Sequence, residues 1–169
     1  MKKLSFIVLA FAAITLLFTA CASRRGTNTM ATSTSTSTST SKGDLTGTWI
    51  VSDIKLEGFP EGYQIKNAFN MAPYESFIGS TWRLYGSYKG SITLSNGTME
   101  NIYWDLINDG AKPVFQFKTV PDGTKARDIR EGYHLDINWI DANHLSLRSP
   151  FSIENGNAAN IVYNLEKQK

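Results

Sequence analysis

The sequence has little of what metal centres and thiol chemistry require. It contains one cysteine and two histidines in 169 residues, which excludes a disulfide framework, a cysteine-rich zinc module and most metal-catalysed hydrolysis. Charged residues make up only 19% of the chain, while aromatic residues reach 12%. Soluble proteins typically carry about 25% charged residues. This composition disfavours a disordered chain, and the length favours one domain.

Helical patterning is also missing, because no stretch shows apolar residues at a 3.6-residue period over three turns. The chain instead contains eight segments enriched in β-branched and aromatic residues, separated by Gly, Asn, Asp and Pro, which predicts strands. The predicted strands are 48–56, 80–85, 87–95, 98–107, 113–120, 132–140, 144–149 and 160–166. Between the first two, residues 62–69 are predicted to form a short helix or a turn.

The strand pattern predicts an all-β domain whose strands have one face exposed to solvent and the other buried. Residues 133–139 alternate apolar and polar side chains, as antiparallel strands do when one side faces water. Residues that favour tight turns lie between several predicted strands, at Asn96-Gly97, Asp109-Gly110 and 141–143. Eight antiparallel strands form either a sandwich or an up-and-down barrel, and a closed barrel removes exposed strand edges.

The N-terminal sequence is typical of a targeting segment. Lys2 and Lys3 precede a nearly continuous apolar run over residues 4–17, followed by small residues and Cys21. A charged start, a short apolar run and a small-residue exit predict a secretory signal peptide over residues 1–20. The run is shorter than the roughly 20 apolar residues of a membrane-spanning helix.

Residues 17–21, Leu-Phe-Thr-Ala-Cys, resemble a bacterial lipobox. In lipoproteins the cysteine becomes the mature N-terminus and carries diacylglycerol and an N-acyl chain such as palmitate. The resemblance implies lipid attachment at Cys21, with the membrane as a partner. Ala22 after this cysteine favours the outer membrane of a bacterial cell envelope. The alternative is a generic signal peptide cleaved near Ala20, with the cysteine incidental.

Two further regions follow the cysteine. Residues 21–42 include an unbroken Thr/Ser alternation at 32–41, which has no apolar group to bury and predicts a disordered tether. Residues 43–169 form the predicted folded domain. This domain carries 12 basic and 15 acidic residues, a formal net charge of −3. That charge disfavours a nucleic acid as partner, because phosphate binding needs a positive surface.

Residues 45–49, Leu-Thr-Gly-Thr-Trp, place a Gly-x-Trp on the first strand and resemble the opening of lipocalins. Later segments are similar to the lipocalin-like lipoproteins common in Bacteroidetes, and the resemblance covers nearly all of 43–169. These segments are 77–82, 90–94, 101–104, 115–118 and 161–165. The resemblance implies an eight-stranded antiparallel up-and-down barrel. Residues 57–76 would form a lid loop over its open mouth, with a short helix as the alternative.

The resemblance also implies how the barrel is closed. Trp49 would lie near the closed end, and lipocalins usually set a late Arg or Lys against this ring in a cation–π contact. Lys167 and Arg148 are the candidates in this chain.

A barrel of eight strands either packs its interior with side chains or holds one small ligand. If it holds a ligand, large aromatic side chains are expected to line the site. The candidates are Trp49, Tyr103, Trp104, Phe115, Phe117, Tyr133 and Trp139. The same rings equally suit plain core packing, and a one-residue slip exchanges the faces of a strand. The two functions that follow are a carrier of a small hydrophobic molecule, and an interaction module with a filled barrel that docks to an envelope partner.

Catalysis has little support in the sequence. His134 and His144 fall on polar strand faces and are not expected to be neighbours, so we predict no catalytic residue, no metal site and no cofactor. Arg127 and Arg130 belong to a charged loop that we interpret as a solvated connector, with an anion-binding cluster as the alternative. The sequence therefore predicts a protein that is not an enzyme.

Overall fold

The structure, a computed structural model, describes residues 40–108, 112–153 and 158–169. The predicted signal peptide, the lipid attachment at Cys21, nearly all of the predicted tether and the Asp109-Gly110 turn lie outside these ranges. No helix within these ranges is both long enough and apolar enough to cross a bilayer.

Eight antiparallel strands pair in sequence order, and the last pairs back with the first to close a barrel. The strands are β1 (Gly47–Glu57), β2 (Thr81–Leu84), β3 (Lys89–Thr93), β4 (Met99–Asn108), β5 (Pro113–Thr119), β6 (Tyr133–Ile140), β7 (His144–Ser152) and β8 (Ala158–Lys167). Each predicted strand overlaps one of these. The prediction of an eight-stranded antiparallel up-and-down barrel is confirmed.

The helical elements are short. Helix α1 (Lys42–Leu45) precedes β1, and 3₁₀ helices cover Tyr74–Phe77 and Ala126–Asp128. Ser41 is the N-cap of helix α1, and its backbone N–H and hydroxyl both donate to the Asp44 carboxylate at 2.8 Å, while the Asp44 backbone N–H donates to the Ser41 carbonyl at 3.2 Å. The two hydrogen bonds that the carboxylate accepts hold the pKa of Asp44 below its ordinary value.

The segment between β1 and β2, residues 58–80, is called the mouth loop below. It holds no α-helix, and residues 62–69 do not form the short helix that was one of the two predictions for them. A left-handed turn at Phe69 and Asn70 takes its place, followed by the 3₁₀ helix at Tyr74–Phe77. Pro73 follows this turn as the N-cap of the 3₁₀ helix, a position at which the missing N–H of proline costs no hydrogen bond within the helix.

The two ends of the barrel are closed in different ways. Helix α1 lies at one end, where Leu45 is fully buried and its carbonyl accepts a 2.8 Å hydrogen bond from Trp49 Nε1. Lys167 Nζ lies 4.9 Å from the centroid of the Trp49 ring, so Lys167 makes the expected cation–π contact. Arg148 instead pairs with Glu57 at 2.9 Å. The opposite end, called the mouth, carries the mouth loop and the β5–β6 loop.

Candidate functional site

The interior of the barrel is built from aromatic side chains. Trp49, Trp104, Phe115 and Phe117, four of the predicted lining residues, are at most 1% exposed. Tyr133, the fifth, is partly buried against the same core. Ring centroids lie 5.8 Å apart for Trp104 and Phe115, 5.9 Å for Phe115 and Phe117, and 5.1 Å for Phe117 and Tyr133. The structure therefore brings five of the seven candidates to the interior, with Trp49 at the closed end.

Tyr103 does not line the interior. Successive residues of a strand point to opposite faces, so Tyr103 and Trp104 on β4 cannot both point inward. Trp104 takes the inner face, and Tyr103 is 36% exposed and stacks on Tyr88, with ring centroids 5.7 Å apart. The expectation for Tyr103 was wrong because both neighbours in one strand were assigned to a single face.

Trp139 also lies on the outside, for a different reason. Ile137 faces Leu147 across the β6–β7 pair, and Trp139 faces Ser146, which leaves Asn138 as an extra residue in a β-bulge. The bulge shifts the alternation by one position. Ile140 consequently packs against the core, and Trp139 is 48% exposed. The sequence alternation continued through Trp139 without a signal of the bulge, so this expectation was wrong as well.

Four interior rings were not among the predicted lining residues. Trp82 on β2, Tyr163 on β8 and Phe77 in the mouth loop are fully buried, and Phe69 in the mouth loop is 7% exposed. The period-two pattern of Ile161, Tyr163 and Leu165 was a sufficient signal for β8. The two loop residues carry no such signal, because a loop has no periodicity that assigns its side chains to a face.

Phe69 occupies the centre of the interior at the mouth end. Its ring lies within 5.1–6.3 Å, centroid to centroid, of five others, and four of these pairs are edge-to-face, the arrangement that the ring quadrupole favours. The five partners are Phe77, Trp82, Phe117, Tyr133 and Tyr163. A residue of the loop, and not of the barrel wall, therefore fills the space below the mouth.

The backbone holds Phe69 in a strained conformation. Its φ is 55° and that of Asn70 is 53°, within the left-handed region, which costs a residue other than glycine about 1–2 kcal/mol. The turn is closed by Ala68 N–H, which donates to the Ala72 carbonyl at 2.7 Å. Burial and the nearby Glu131 raise the pKa of Tyr133, and the Asn70 side chain opposes this shift.

We call Phe69 and its five partner rings the ring cluster. Tyr163 carries the one buried polar atom of this cluster that has no hydrogen bond within the described ranges. Its side chain is fully buried, and its hydroxyl finds no partner there. An unpaired buried hydroxyl costs about 1–3 kcal/mol. The three buried tryptophans differ, since each indole N–H donates to an oxygen at 2.8–3.0 Å. Burial raises the pKa of Tyr163, so this hydroxyl stays protonated.

No charged residue is fully buried among those that the structure covers, and the two lysine ammonium groups that contact interior rings, Lys42 on Trp104 and Lys167 on Trp49, do so at the closed end. The buried polar residues are Ser80, Ser91 and Ser146. Ser80 accepts the hydrogen bond of Trp82 Nε1 at 3.0 Å, and Ser146 donates to Asn164 Oδ1 at 3.0 Å. The interior therefore suits an uncharged apolar group, because a charge buried without a partner is strongly disfavoured.

A second aromatic group lies at the rim of the mouth. Phe59 and Tyr63 of the mouth loop meet Phe151 near the end of β7, with ring centroids 5.2–6.2 Å apart. We call these three residues the rim cluster. They are partly exposed, which distinguishes them from the buried rings below. The mouth loop thus contributes rings both to the rim and to the interior.

The two histidines considered in the sequence analysis, His134 and His144, lie outside the barrel interior. His144 Nδ1 lies 3.1 Å from the Asp141 carboxylate, which also accepts the backbone N–H groups of Asn143 and His144 at 2.8 Å. These hydrogen bonds lower the pKa of Asp141 and shape the β6–β7 turn. His134 is exposed and faces Gln116 across the β5–β6 pair. The two histidines do not form a common site.

The charged β5–β6 loop borders an open groove of about 480 Å³ on the outer surface. Lys118, Lys125, Arg127 and Tyr103 line it, and Arg130 does not. Lys118 Nζ donates to the Ile129 carbonyl at 2.7 Å, and Arg127 lies 3.7 Å from Asp128. Two of the three cations that line the groove, Lys118 and Arg127, therefore already have partners, and the anion-binding cluster of Arg127 and Arg130 stays a prediction.

No protein-family model and no curated protein matches the chain. Among solved structures, the chain is similar to a lipocalin-like protein from Bacteroides uniformis at 13% identity and a TM-score of 0.40, over 75% of this chain and 100% of that one. It is also similar to lobster apocrustacyanin A1 at 10% identity and a TM-score of 0.39, over 75% of this chain and 62% of that one. For apocrustacyanin C2 the values are 10%, 0.37, 74% and 61%. The barrel assignment itself rests on the strand register of this chain.

Proposed function

We propose that this protein is a non-enzymatic binding protein that holds a small, uncharged hydrophobic molecule inside the barrel, in the space that Phe69 occupies. The observation that carries the proposal is that this ring comes from a loop and not from a strand of the barrel wall. Phe69 belongs to the mouth loop, so it can leave the interior without breaking any strand pairing. The wall around it, which remains, is aromatic and contains no charged group among the described residues.

A ligand in this space would gain what Phe69 gains. It would contact the rings of Trp82, Phe117 and Tyr163, and each favourable aromatic pair contributes about 0.5–1.5 kcal/mol beyond area burial. Release of Phe69 would also relieve the left-handed backbone at that residue. The interior stays filled in both states, because Phe69 occupies the space without a ligand and the ligand occupies it in the complex. A close-packed core requires this.

The alternative is an interaction module whose barrel stays filled and whose surface docks to an envelope partner. The density of the ring packing favours it, since Phe69 is only 7% exposed and has five aromatic neighbours. The two functions differ in one property: a carrier exchanges Phe69 for a ligand, and an interaction module does not.

We further propose that the domain is tethered to the outer membrane of a bacterial cell envelope through lipid on Cys21. The lipobox-like sequence at residues 17–21 supports this proposal. Two or more acyl chains make membrane anchoring stable, because each buried methylene contributes about 0.8 kcal/mol. A flexible coil of the length of residues 21–42 would span roughly 25 Å. The barrel would then reach its ligand clear of the membrane surface.

Mass spectrometry of the protein purified from the cells that make it tests both proposals on one sample. Under denaturing conditions we expect the mass of a chain that begins at Cys21 and carries diacylglycerol and an N-acyl chain. Under native conditions we expect an additional apolar molecule, one per chain, that organic extraction removes.

The denaturing and the native mass measurements test the two proposals independently. An unmodified cysteine, or a chain cleaved elsewhere, would contradict the lipid anchor and leave the carrier proposal standing. A native mass equal to the denatured mass in repeated preparations would contradict the carrier and support the interaction module.

A further inference from the structure

The ring cluster has one polar group with nothing to bond. Tyr163 lies on β8 between its partners Ile54 and Leu147, and its ring contacts Phe69, Phe77 and Trp82 at 5.3–6.0 Å between centroids. These contacts place the side chain in the interior at the level of Phe69. The hydroxyl at its tip has no partner within the described ranges, although the indole N–H groups of its neighbour Trp82 and of the other two buried tryptophans are all hydrogen-bonded.

A phenylalanine at this position would fill the same space without an unpaired hydroxyl. Buried polar groups in folded proteins nearly always have a partner, and an exception calls for a physical explanation. Phe69, the neighbour that a ligand would replace, offers only a hydrocarbon ring to the hydroxyl. A ligand in its place is free to bring an oxygen.

We propose that the Tyr163 hydroxyl is the polar anchor of the ligand, which is a compact, uncharged molecule with an aromatic or otherwise apolar body and one hydrogen-bond acceptor such as a carbonyl oxygen. This inference rests on the proposed function, because it names the chemistry of a ligand that takes the place of Phe69. The hydroxyl donates the hydrogen bond, and the surrounding rings contact the apolar body.

The choice of an acceptor follows from the buried proton of the hydroxyl, which has no partner within the described ranges. Burial also raises the pKa of Tyr163, so the group keeps this proton at physiological pH. The absence of buried charged side chains among the described residues disfavours a carboxylate or phosphate ligand at the same place. A neutral carbonyl satisfies the donor without bringing a charge into the interior.

The test compares two ligands of nearly the same shape, acetophenone and α-methylstyrene, which differ in a carbonyl oxygen against a methylene group. Their affinities are measured by calorimetry on the full chain with Phe69→Ala, which opens the space, and then with Tyr163→Phe added. Tyr63→Phe in the same background is the matched control, because it removes a tyrosine hydroxyl from the rim cluster and not from the interior.

We expect the preference for acetophenone over α-methylstyrene to fall by about threefold to tenfold when Tyr163→Phe is added, the loss of one neutral hydrogen bond. Tyr63→Phe leaves the preference unchanged. Tyr163→Phe alone keeps the urea midpoint of the otherwise wild-type protein or raises it, since it removes an unpaired buried hydroxyl.

Each other result has a separate meaning. If both ligands bind and the preference is the same with Tyr163→Phe, the anchor is wrong and the proposed function stands. If neither ligand binds, both the anchor and the proposed function are overturned. If Phe69→Ala does not fold, Phe69→Gly replaces it, because glycine tolerates the φ of 55° at that position.

Discussion

At the scale of single residues, the conformation of Phe69 depends on two opposing terms. The left-handed backbone costs about 1–2 kcal/mol for a residue with a Cβ. The contacts of its ring offset that cost, at about 0.5–1.5 kcal/mol for each favourable aromatic pair. Five such neighbours are enough to hold the ring inside. A ligand that displaces the ring has to replace both these contacts and the buried area of the ring, and it also has to offset the entropy of association.

The strain at Phe69 predicts an inverted order of two substitutions. Phe69→Ala and Phe69→Gly both remove the ring, at a typical cost of about 3–5 kcal/mol. Glycine is ordinarily about 0.5–1 kcal/mol less favourable than alanine in regular structure. At a φ of 55° only alanine pays for its Cβ, so we expect Phe69→Gly to be the more stable variant in urea unfolding.

The control for this comparison is Lys55, an exposed residue in β1. There, Lys55→Gly is expected to be less stable than Lys55→Ala. If alanine is the more stable substitution at both positions, the left-handed turn at Phe69 is wrong.

Residue by residue, the sequence predicted the interior well where a strand assigns the face. Phe115 and Phe117 alternate with polar neighbours and were correctly expected inside. Phe69 was not predicted as a lining residue, because its inward position depends on a turn and on rings contributed by distant strands. Tyr163 was missed although its strand shows the needed alternation.

At the scale of elements, the bulge in β6 decides which ring of that strand faces water. Without an extra residue at Asn138, Trp139 would share the inner face with Ile137. With it, the register after the bulge places Ile140 inside. Bulges of this kind add twist to a strand, which suits the curvature of a closed barrel. The alternation of the sequence does not reveal where a strand gains a residue.

The bulge predicts how the four tryptophans respond to an aqueous quencher. Trp139 is 48% exposed, and the other three are fully buried. We therefore expect iodide to quench only one component of the tryptophan fluorescence, and Trp139→Phe to abolish it. Trp104→Phe is the control and should leave the quenched component in place. Loss of quenching with Trp104→Phe and not with Trp139→Phe would contradict the register.

The strands were more predictable than the loop between β1 and β2. Strand positions follow from side-chain alternation and from turn residues such as Asn96-Gly97, both of which are local. The mouth loop has neither property, and the short helix over residues 62–69 does not form. Its conformation depends on the rings that it covers, which come from strands distant in sequence.

At the scale of the whole molecule, the barrel is closed by helix α1 at one end and by the mouth loop at the other. The closed end uses helix α1, the buried Leu45 and the contact of Lys167 with Trp49. The mouth end is closed by Phe69 and the rim cluster. Of these residues, only Phe151 belongs to a strand of the barrel wall. Under the proposed function, this asymmetry predicts that a ligand enters at the mouth.

The central claim is that the space of Phe69 is a binding site, and its most direct test is ¹⁹F NMR of fluorobenzene with two matched variants. Phe69→Ala removes a ring from the interior, and Phe59→Ala removes the same ring from the rim cluster of the same loop. An apolar cavity of about the size of a phenyl ring binds benzene. In Phe69→Ala the space is open, whereas in the unsubstituted protein and in Phe59→Ala the ligand must displace Phe69. We predict saturable binding of one fluorobenzene per chain by all three proteins, tightest for Phe69→Ala. No binding by the unsubstituted protein, or no binding by a folded Phe69→Ala, would contradict the account.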